Sequence, residues 1–381
     1  MNYSTVQLLD LPDKMLIEIF NKLTRVDVLF SILGVNKRLN RLVCDPTFTH
    51  FLDLTIKASY DERHSLPDVI LDRFCLFILP RIHNNIQSLR VEPSSMERIL
   101  LICDYPKLHK LILNSIKPEA FLKYLADDST IVHIFKRITH LEVSTIEYYS
   151  HMTIPQMDLN KNGYARLFSV CQHLSHLNIN GKYLHLDTWM RQNALPLTMC
   201  SSSIIVELNV NVNTIDDCLR LLDGRFSQMK ILNITIDSIE ATSLNIANQN
   251  SLPNLTTFGL FSTMPTEEYD NLIVPLLRRM PNIEELTLCL DVENRSKFID
   301  GTVLHRDILI HMPRINIFLF NIITIDHHVD LSYWFKNDDI EETYIIDDGH
   351  PYIYCRVDFF TNGIGRFRIA SYPFHTKNLN L

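Results

Sequence analysis

The chain has 381 residues, of which 46% are hydrophobic and 21% charged, and its formal net charge is -8 at pH 7. This balance argues against a general nucleic-acid binder, because neutralising phosphates requires clustered lysine and arginine. No run of about 18 or more apolar residues is present, and no basic segment followed by a long apolar core opens the chain. Membrane insertion and secretion are therefore unsupported, and we expect a protein of the cytosol or the nucleus.

The first predicted element is a short amphipathic helix near the amino terminus. Pro12 suits a first helical turn, since its fixed φ and missing N–H cost nothing there. Apolar residues then recur at the i, i+3, i+4, i+7 spacing of one helix face: Leu16, Ile19, Phe20 and Leu23. Met15 and Ile17 widen this surface beyond what one buried helix face needs. Part of it should therefore be covered by something other than this chain.

Two further short helices are predicted. Thr24 can cap a second helix whose N3 residue, Asp27, favours the positive helix end, and Gly34 ends that helix. A third helix runs over about residues 35–43 and must end there, because Pro46 disfavours helical geometry at the residue before it. A module of about forty residues is below the size at which one core is comfortably stable alone, so it should lean on a neighbour.

Taken together, these residues resemble an F-box. The pattern over residues 8–54 is Leu-Pro, a helix ending in Ile-Phe and Leu, an Asp-Val-Leu helix start, Val-x-Lys-Arg, and Asp-Pro followed by an aromatic residue. Lys14 stands where the family usually has Glu, and Leu39 where it often has Trp. The resemblance implies docking on a Skp1-type adaptor and, through it, on a cullin-RING ubiquitin ligase.

By motif position, the resemblance implies six candidate adaptor-binding residues: Leu11, Pro12, Leu16, Ile19, Phe20 and Leu23. A few buried aliphatic side chains at roughly 1.5–3 kcal/mol each would give tight docking after association costs are met. No metal or cofactor is needed for such docking. In the alternative interpretation, the same apolar residues only close a three-helix core against the rest of the chain.

An apolar pattern, written Φ-x-x-Φ-x-Φ, repeats along the rest of the chain. Its nine copies have these middle residues: Leu89, Leu111, Leu141, Leu177, Leu208, Leu232, Phe258, Leu286 and Phe318. Successive copies lie 22 to 36 residues apart, close to or somewhat above the period of leucine-rich repeats. Helix-like stretches lie between copies, for example at 96–102, 120–125 and 218–222, so each unit is predicted to be a strand followed by a helix. Phe51, Leu54 and Ile56 have the spacing of a further, capping strand.

One such unit cannot bury both its strand and its helix face, whereas stacked units form one continuous core. The chain therefore resembles F-box proteins with C-terminal leucine-rich repeats. This class implies an α/β fold: a small three-helix F-box followed by an irregular leucine-rich-repeat solenoid, with parallel strands on the concave face and helices on the convex face. We expect the F-box over residues 1–54, the solenoid over 55–325 and a C-terminal capping segment over 326–381. An ordinary α/β domain is the alternative.

Long steps between copies also predict insertions around residues 146–163 and 183–203. In the capping segment, acidic residues surround Tyr333 to Phe335, and residues 352–357 alternate like a strand. Asn362-Gly363 then indicates a turn, with a return segment through Phe367 and Ile369. Closing the last core layer is the role we expect for this segment, and attraction of a basic partner is the alternative.

Strand periodicity selects the side chains that would face a bound target, because residues alternate between the two faces of a sheet. The candidate target-binding residues are His140, Glu142, His176, Asn178, Glu207, Asn209, Asn233, Glu285 and Thr287. Asn178, Asn209 and Asn233 occupy the same position in successive repeats, so their amides could bond one another or a bound peptide. The alternative is an ordinary solvated surface.

The sequence offers little for catalysis. It lacks G-x-x-x-x-G-K-[ST], G-x-G-x-x-G, H-E-x-x-H and G-x-S-x-G, and only nine glycines are available for phosphate-binding loops. His173 and His176 bracket a strand pattern and project to different places, while His327-His328 beside Asp326 is a weak metal candidate. The eight cysteines form no C-x-x-C pair and indicate small core residues. We expect no catalytic residues, no metal and no cofactor.

These patterns together predict a non-catalytic substrate-recognition subunit of an SCF (Skp1-cullin-F-box) E3 ubiquitin ligase. It would bind the adaptor through the F-box and an unknown protein target through the repeats, with no nucleic acid and no membrane involved. The main alternative is a leucine-rich-repeat scaffold that binds a protein without a ligase role. A hydrolase or metal protein on a repeat frame ranks lower.

Overall fold

The computed structural model describes residues 8–57, 63–116, 118–145, 163–180, 204–242, 251–295, 297–326, 352–359 and 365–372. The chain forms two compact units: Met1–Tyr148 with Val170–Leu174, and Tyr149–Ser169 with Ser175–Leu381. Helices alternate with parallel strands in both units, so the α/β class is confirmed.

The amino-terminal helices of the first unit begin and end near the predicted signals. They are a 3-10 turn at Leu8–Asp10, α1 at Asp13–Phe20, α2 at Arg25–Ile32, α3 at Lys37–Val43 and α4 at Pro46–Thr49. The Thr24 hydroxyl accepts from the Asp27 N–H at 3.1 Å, as predicted for a cap. Gly34 has a φ of 99°, a left-handed conformation that favours glycine at a helix end. The Asp45 carboxylate caps α4, a turn that the sequence had not predicted.

These helices rest on the next helical segment of the same unit, as expected for so small a module. That segment comprises α5 (Asp68–Arg73), a π-helical turn (Phe74–Ile78), α6 (Leu79–Ile82) and a 3-10 turn (His83–Asn85). The Arg73 guanidinium donates to the carbonyl oxygens of Phe30 and Leu33, each at 3.0 Å. It also lies 5.2 Å from the Phe30 ring centroid and 5.3 Å from that of Phe77. One arginine thus ties the end of α2 to the segment that follows.

Among the described residues, the first unit contributes four parallel strands. They are β1 (Phe51–Asp53), β4 (Ser88–Val91), β5 (Lys110–Ile116) and β6 (His140–Thr145), adjacent in that order. The helices between them are α7 (Pro93–Leu100), α8 (Pro118–Tyr124) and α9 (Val132–Phe135). Strand β1 confirms the predicted capping strand. Ile56, however, belongs to a separate antiparallel hairpin and is exposed; the hairpin joins β2 (Thr55–Lys57) to β3 (Arg63–Ser65).

In the part of the second unit that the structure describes, six strands are parallel. They are β7 (His176–Asn180), β8 (Glu207–Thr214), β9 (Ile231–Ser238), β10 (Thr257–Ser262), β11 (Glu285–Glu293) and β12 (Ile317–Asp326). Its helical elements are α10 (Gly163–Val170, within this unit as far as Ser169), α11 (Ile215–Leu221), a π-helical turn (Tyr269–Ile273), α12 (Val274–Leu277), α13 (Gly301–Asp307) and a 3-10 turn (Leu309–His311). Every predicted strand pattern therefore falls on a strand.

The middle apolar residue of each pattern lies beside its counterpart in the neighbouring strand. In the first unit Leu89, Leu111 and Leu141 are partners. In the second unit the row is Leu177, Leu208, Leu232, Phe258, Leu286 and Phe318. All are buried except Phe318, which is half-buried in the last parallel strand. The repeat pattern is thus the buried stripe along the parallel strands of each unit.

The carboxyl-terminal strands form the predicted antiparallel pair. Strand β13 (Tyr352–Phe359) pairs with β14 (Gly365–Tyr372), and β14 in turn pairs antiparallel with β12. The turn at Asn362-Gly363 lies outside the described residues. So do most of the predicted insertions around 146–163 and 183–203 and the acidic stretch that follows Asp326.

Two further sequence expectations bear on the core and on membranes. Six cysteines with described side chains are unpaired, and burial raises the pKa of Cys171 and Cys218 to about 12, which keeps both thiols protonated and unreactive. Cys200 lies outside the described residues. Within the described ranges, no helix has the length and apolar character needed to cross a bilayer.

Replacing Arg73 tests how the amino-terminal helices are held. Arg73→Ala leaves two helix-end carbonyls without their charged donor, so we expect α2 to lose roughly 1–3 kcal/mol of protection against local opening. Hydrogen exchange of the α2 amides in the full chain measures this. Lys107→Ala, at an exposed position, is the control and should change exchange little. Equal effects of the two substitutions would contradict the anchoring role.

Candidate functional site

The amino-terminal module leaves one set of apolar side chains uncovered. Leu8, Leu9, Met15, Ile19 and Leu23 are between 40% and 53% exposed. Met15, Ile19 and Leu23 follow one another at intervals of four, so they share one side of α1 and of the turn after it. Of the other predicted adaptor-binding residues, Pro12 is exposed and Leu11 is half-buried. We call these seven residues the α1 apolar face.

Leu16 and Phe20 do not belong to this face, and their prediction as surface anchors is corrected. Leu16 is fully buried and Phe20 is 3% exposed. The Phe20 ring packs edge-on against Phe48, with 6.3 Å between ring centroids. The two residues are one helical turn apart on the side of α1 that closes the core. The interpretation in which apolar residues only fill the module therefore holds for these two.

Arg38 holds the amino-terminal turn in place. Its guanidinium donates to the carbonyl oxygen of Leu9 at 2.7 Å, to that of Leu11 at 2.6 Å and to the Asp13 carboxylate at 2.7 Å. Arg41 adds a second bond to Asp13 at 2.8 Å. The Arg38 hydrogen bond lowers the pKa of Asp13 below its ordinary value, so this carboxylate stays charged. The segment that carries Leu8, Leu9 and Leu11 is thereby fixed against α3.

Residues 8–51 match the family model described as F-box domain. The chain carries an F-box domain. F-box domains generally bind Skp1 adaptors in cullin-RING ligases, so this region is an adaptor-binding module of the kind typical of SCF ubiquitin-ligase receptors. No curated protein matches the chain.

The F-box departs from its usual pattern at one exposed and one enclosed position. Leu39, at the position that often holds Trp, is 2% exposed, so this change lies in the core and does not alter the outer surface. Lys14, where Glu is usual, is exposed and precedes Met15. It therefore changes the sign of a charge next to the α1 apolar face.

The strand face of the first unit is occupied by its own ion pairs. The Asp53 carboxylate lies 2.8 Å from the Arg63 guanidinium and 3.3 Å from that of Arg90. Glu142 lies 3.9 Å from Arg90 and 3.8 Å from the Lys110 ammonium. His140 is bonded through Nδ1 to the Thr139 hydroxyl at 2.8 Å and stacks edge-on with His109 at 5.8 Å between ring centroids. Glu142 and His140 are therefore already engaged within the unit.

The strand face of the second unit carries a row of connected amides. The Asn233 amide nitrogen donates to the Asn209 oxygen at 2.7 Å, and the Asn209 nitrogen donates to Glu207 at 2.8 Å. His176 Nε2 lies 3.9 Å from the Glu207 carboxylate. Asn178 is the strand partner of Asn209, at the same level. The predicted bonding between these amides is confirmed for Asn209 and Asn233.

Gly259 continues the row where the sequence analysis had singled out no residue. It is the strand partner of Asn233 on one side and of Thr287 on the other. A β-carbon at Gly259 would collide with the Asn233 amide oxygen and press against the Phe261 ring. The missing side chain therefore gives the Asn233 amide its space. A glycine inside a predicted strand was the available signal, since it often marks close approach of another group.

The last two predicted target-binding residues stand on β11. Glu285 is exposed at the start of this strand, and Thr287 is half-buried beside Gly259. We call Asn178, Asn209, Asn233, Gly259 and Thr287 the amide row. On their respective strands, His176, Glu207 and Glu285 each lie two residues before the row residue and on the same face.

Among the described residues no group of three or more His, Cys, Asp or Glu side chains is placed to hold a metal ion. His173 is exposed in the loop before β7, while His176 contacts Glu207, so the two do not converge. His327 and His328 lie outside the described residues. The weak metal candidate is therefore untested, and the absence of a metal stays a prediction.

Gly259→Ala tests the close packing of the amide row. The new methyl group must displace the Asn233 amide, so we expect a loss of about 1–3 kcal/mol in unfolding free energy, measured by denaturant titration. In the double variant Gly259→Ala/Asn233→Ala the obstructing amide is gone, and the added loss from the alanine at 259 should largely disappear. If the alanine at 259 lowers the unfolding free energy equally with and without the Asn233 side chain, the close contact between Gly259 and Asn233 is not its cause.

Proposed function

We propose that this protein is the substrate-recognition subunit of an SCF-type E3 ubiquitin ligase. Its F-box would bind a Skp1-type adaptor, and its strand-and-helix repeats would bind a protein target. The observation that carries the proposal is an F-box domain whose own chain leaves the α1 apolar face uncovered. A contiguous set of large apolar side chains next to polar groups is the usual core of a protein interface.

The adaptor-binding half of the proposal rests on the division within α1. Leu16 and Phe20 stabilise the module, while Met15, Ile19 and Leu23 offer their surfaces to a partner. Arg38 acts as a positioning residue, because its bonds to two carbonyl oxygens hold the turn that presents Leu8 and Leu9. The same turn would otherwise have to be ordered on binding, at a cost in affinity.

The target-binding half rests on the repeats. We propose that they form an irregular leucine-rich-repeat solenoid with the strands on its concave face and the helices on its convex face. The aligned apolar stripe in each unit supports this, since it is the core that stacked repeats share. Candidate target contacts are the amide row with Glu207, His176 and Glu285. His140 and Glu142 are weaker candidates, because partners within the chain already engage them.

In this proposal the chain carries out no chemistry of its own. Holding a target beside a ubiquitin-loaded enzyme raises the effective concentration of its lysines, which accelerates transfer without any acid, base or metal in the receptor. The expected sites of action are the cytosol and the nucleus. A leucine-rich-repeat scaffold without ligase function would share the fold, and adaptor binding separates the two.

Charge substitution on the α1 apolar face tests the adaptor interface. Placing a carboxylate there puts an unpaired charge into the interface, so Ile19→Asp should weaken binding of a purified Skp1-type adaptor by about a hundredfold or more in a calorimetric titration. Val69→Asp is the matched control: Val69 is 75% exposed on α5, and its substitution should leave the affinity unchanged. Full affinity in the Ile19 variant would refute the proposed interface.

Leu16→Ala should mainly lower the unfolding free energy, whereas Ile19→Ala should mainly lower the affinity for the adaptor. Leu16 is fully enclosed, so its truncation should cost about 2–5 kcal/mol of unfolding free energy. Ile19→Ala should cost under about 1 kcal/mol in stability, because the side chain is half-exposed, and should instead weaken adaptor binding. Stability by denaturant titration and affinity by calorimetry give both values. The same ranking in both measurements would mean that α1 has no separate binding side.

Arg38→Ala tests the positioning of the amino-terminal turn. We expect faster hydrogen exchange over residues 8–12 and adaptor binding weakened about tenfold, with the α2 and α3 amides unchanged. Arg41→Ala is the control, since Arg41 contacts Asp13 and has no bond to the carbonyl oxygens of Leu9 or Leu11 among those described. A uniform increase in exchange across the module would instead indicate that Arg38 only stabilises the fold.

A further inference from the structure

The amide row of the second unit is directional. Asn233 donates to Asn209, and Asn209 donates to the Glu207 carboxylate. One N–H of each amide is therefore used inside the row, and the chain of donors ends on a carboxylate, which can only accept. These two hydrogen bonds involve neither the oxygen of Asn178 nor the carboxylate of Glu285.

Asn178 supplies an acceptor that the described structure leaves unsatisfied. Its amide oxygen is shielded from solvent and has no hydrogen-bond partner. A buried polar atom without a partner costs about 1–3 kcal/mol, so this oxygen calls for a donor that the described residues do not supply. Asn178 is beside Asn209 in the row. Asn178 as a whole is half-buried, so a rotation of its side chain would bring this oxygen within reach of a ligand that donates a hydrogen bond.

The charges on this face have one predominant sign. The strands of the second unit place five acidic residues on the same side of the sheet as the amide row: Glu207, Asp237, Glu285, Glu293 and Asp291. Among the described side chains, only Arg366 and Arg368 of β14 oppose them as full positive charges, so five against two leaves an excess of three negative charges. Arg366 lies 3.8 Å from Asp291, and Arg368 donates to Asn321. Both arginines therefore sit at the β14 end, beyond Glu285 and Glu207.

The burial of the Asp291 carboxylate on this face also favours a cationic ligand. Desolvation raises the pKa of Asp291 above its ordinary value, with the arginines of β14 lowering it in part. The fold thus keeps an acidic group where its charge is costly. A positively charged ligand would reduce that cost, and an anionic one would increase it.

We propose that the amide row and its neighbouring carboxylates bind a target segment rich in lysine and arginine. The proposal deepens the receptor function and rests on it for the identity of the partner as a ligase target. The row crosses five strands, and four steps of about 4.8 Å span about 19 Å, the length of roughly six extended residues. Asn178 accepts a hydrogen bond from the segment, Glu285 pairs with one of its cations, and Gly259 leaves room for the Asn233 amide that lines the row.

The probe is a pair of synthetic peptides titrated into the full chain. A fluorescein-labelled twelve-residue peptide of Lys-Ser-Arg-Gly repeats is compared with one in which Glu replaces each Lys and Arg, using fluorescence polarisation at physiological salt. We expect saturable binding of the basic peptide, weakened by added salt, and none of the acidic peptide. Equal or tighter binding of the acidic peptide, or no saturable binding of the basic one, overturns the proposal.

Two charge-matched variants separate a specific site from net charge. Glu285→Lys should weaken the binding of the basic peptide at least tenfold. Glu97→Lys changes the net charge equally, but Glu97 is exposed on α7 of the first unit and is not part of the proposed site, so its substitution should have little effect. Equal weakening by the two variants would mean that the peptide responds to overall charge alone, and the site assignment would fail.

Asn178→Leu gives a signature that a structural asparagine would not produce. Leucine has nearly the same size and removes the unsatisfied oxygen, so the melting temperature should stay the same or rise while the peptide affinity falls about tenfold. Asn233→Leu breaks the bond to Asn209 and should lower the melting temperature. A destabilised Asn178 variant with normal peptide binding overturns the role given to this residue.

Adaptor titrations on the same preparations keep the two proposals apart. If the adaptor binds and the basic peptide does not, the target class is wrong and the receptor function stands. If the peptide binds and the adaptor does not, the strand face is a basic-segment site of a protein outside the ligase, and the receptor function fails.

Discussion

The structure depends on one repeated requirement: each parallel strand must bury its middle apolar side chain beside those of the neighbouring strands. Within each unit these residues form an unbroken row of partners. A strand that slipped by one residue would turn this side chain to the opposite face and bury polar ones in its place. The same requirement fixes the other face of the sheet. Asn209 and Asn233 lie side by side because the preceding residues, Leu208 and Leu232, are partners in adjacent strands.

Much of this could be predicted from the sequence because it depends on local spacing. The nine apolar patterns fall on strands, and the signals at Thr24 and Gly34 lie where α2 begins and ends. The division of α1 could not be predicted in the same way. Leu16 and Ile19 are both apolar and both fit a helix face, and the side that is enclosed depends on tertiary packing such as that of Phe20 against Phe48.

Contacts between distant residues were harder to predict. Sequence alternation gave the strand-face residues, but it gave no means of telling that the acids of the first unit are matched by Arg63, Arg90 and Lys110. It also did not show that Asn178 keeps an oxygen without a partner. These facts depend on which strands are neighbours and on side-chain rotamers. The strand-face residues carry charges of both signs in the sequence. In the structure, the acids of the first unit are paired with bases, whereas the strand face of the second unit has an excess of acids.

The reversed direction of β14 has a consequence for how the array can change in length. Parallel strand-and-helix units add to one another because each offers the next an edge of the same direction, and β12 is the last to do so before β14 pairs with it antiparallel. Strand β14 occupies the outer edge of β12 and pairs on its other side with β13, so a further unit has no access to that edge. Whole units can therefore be gained or lost in the parallel part of the array ahead of β13 and β14, and these two strands then close whichever parallel strand comes last.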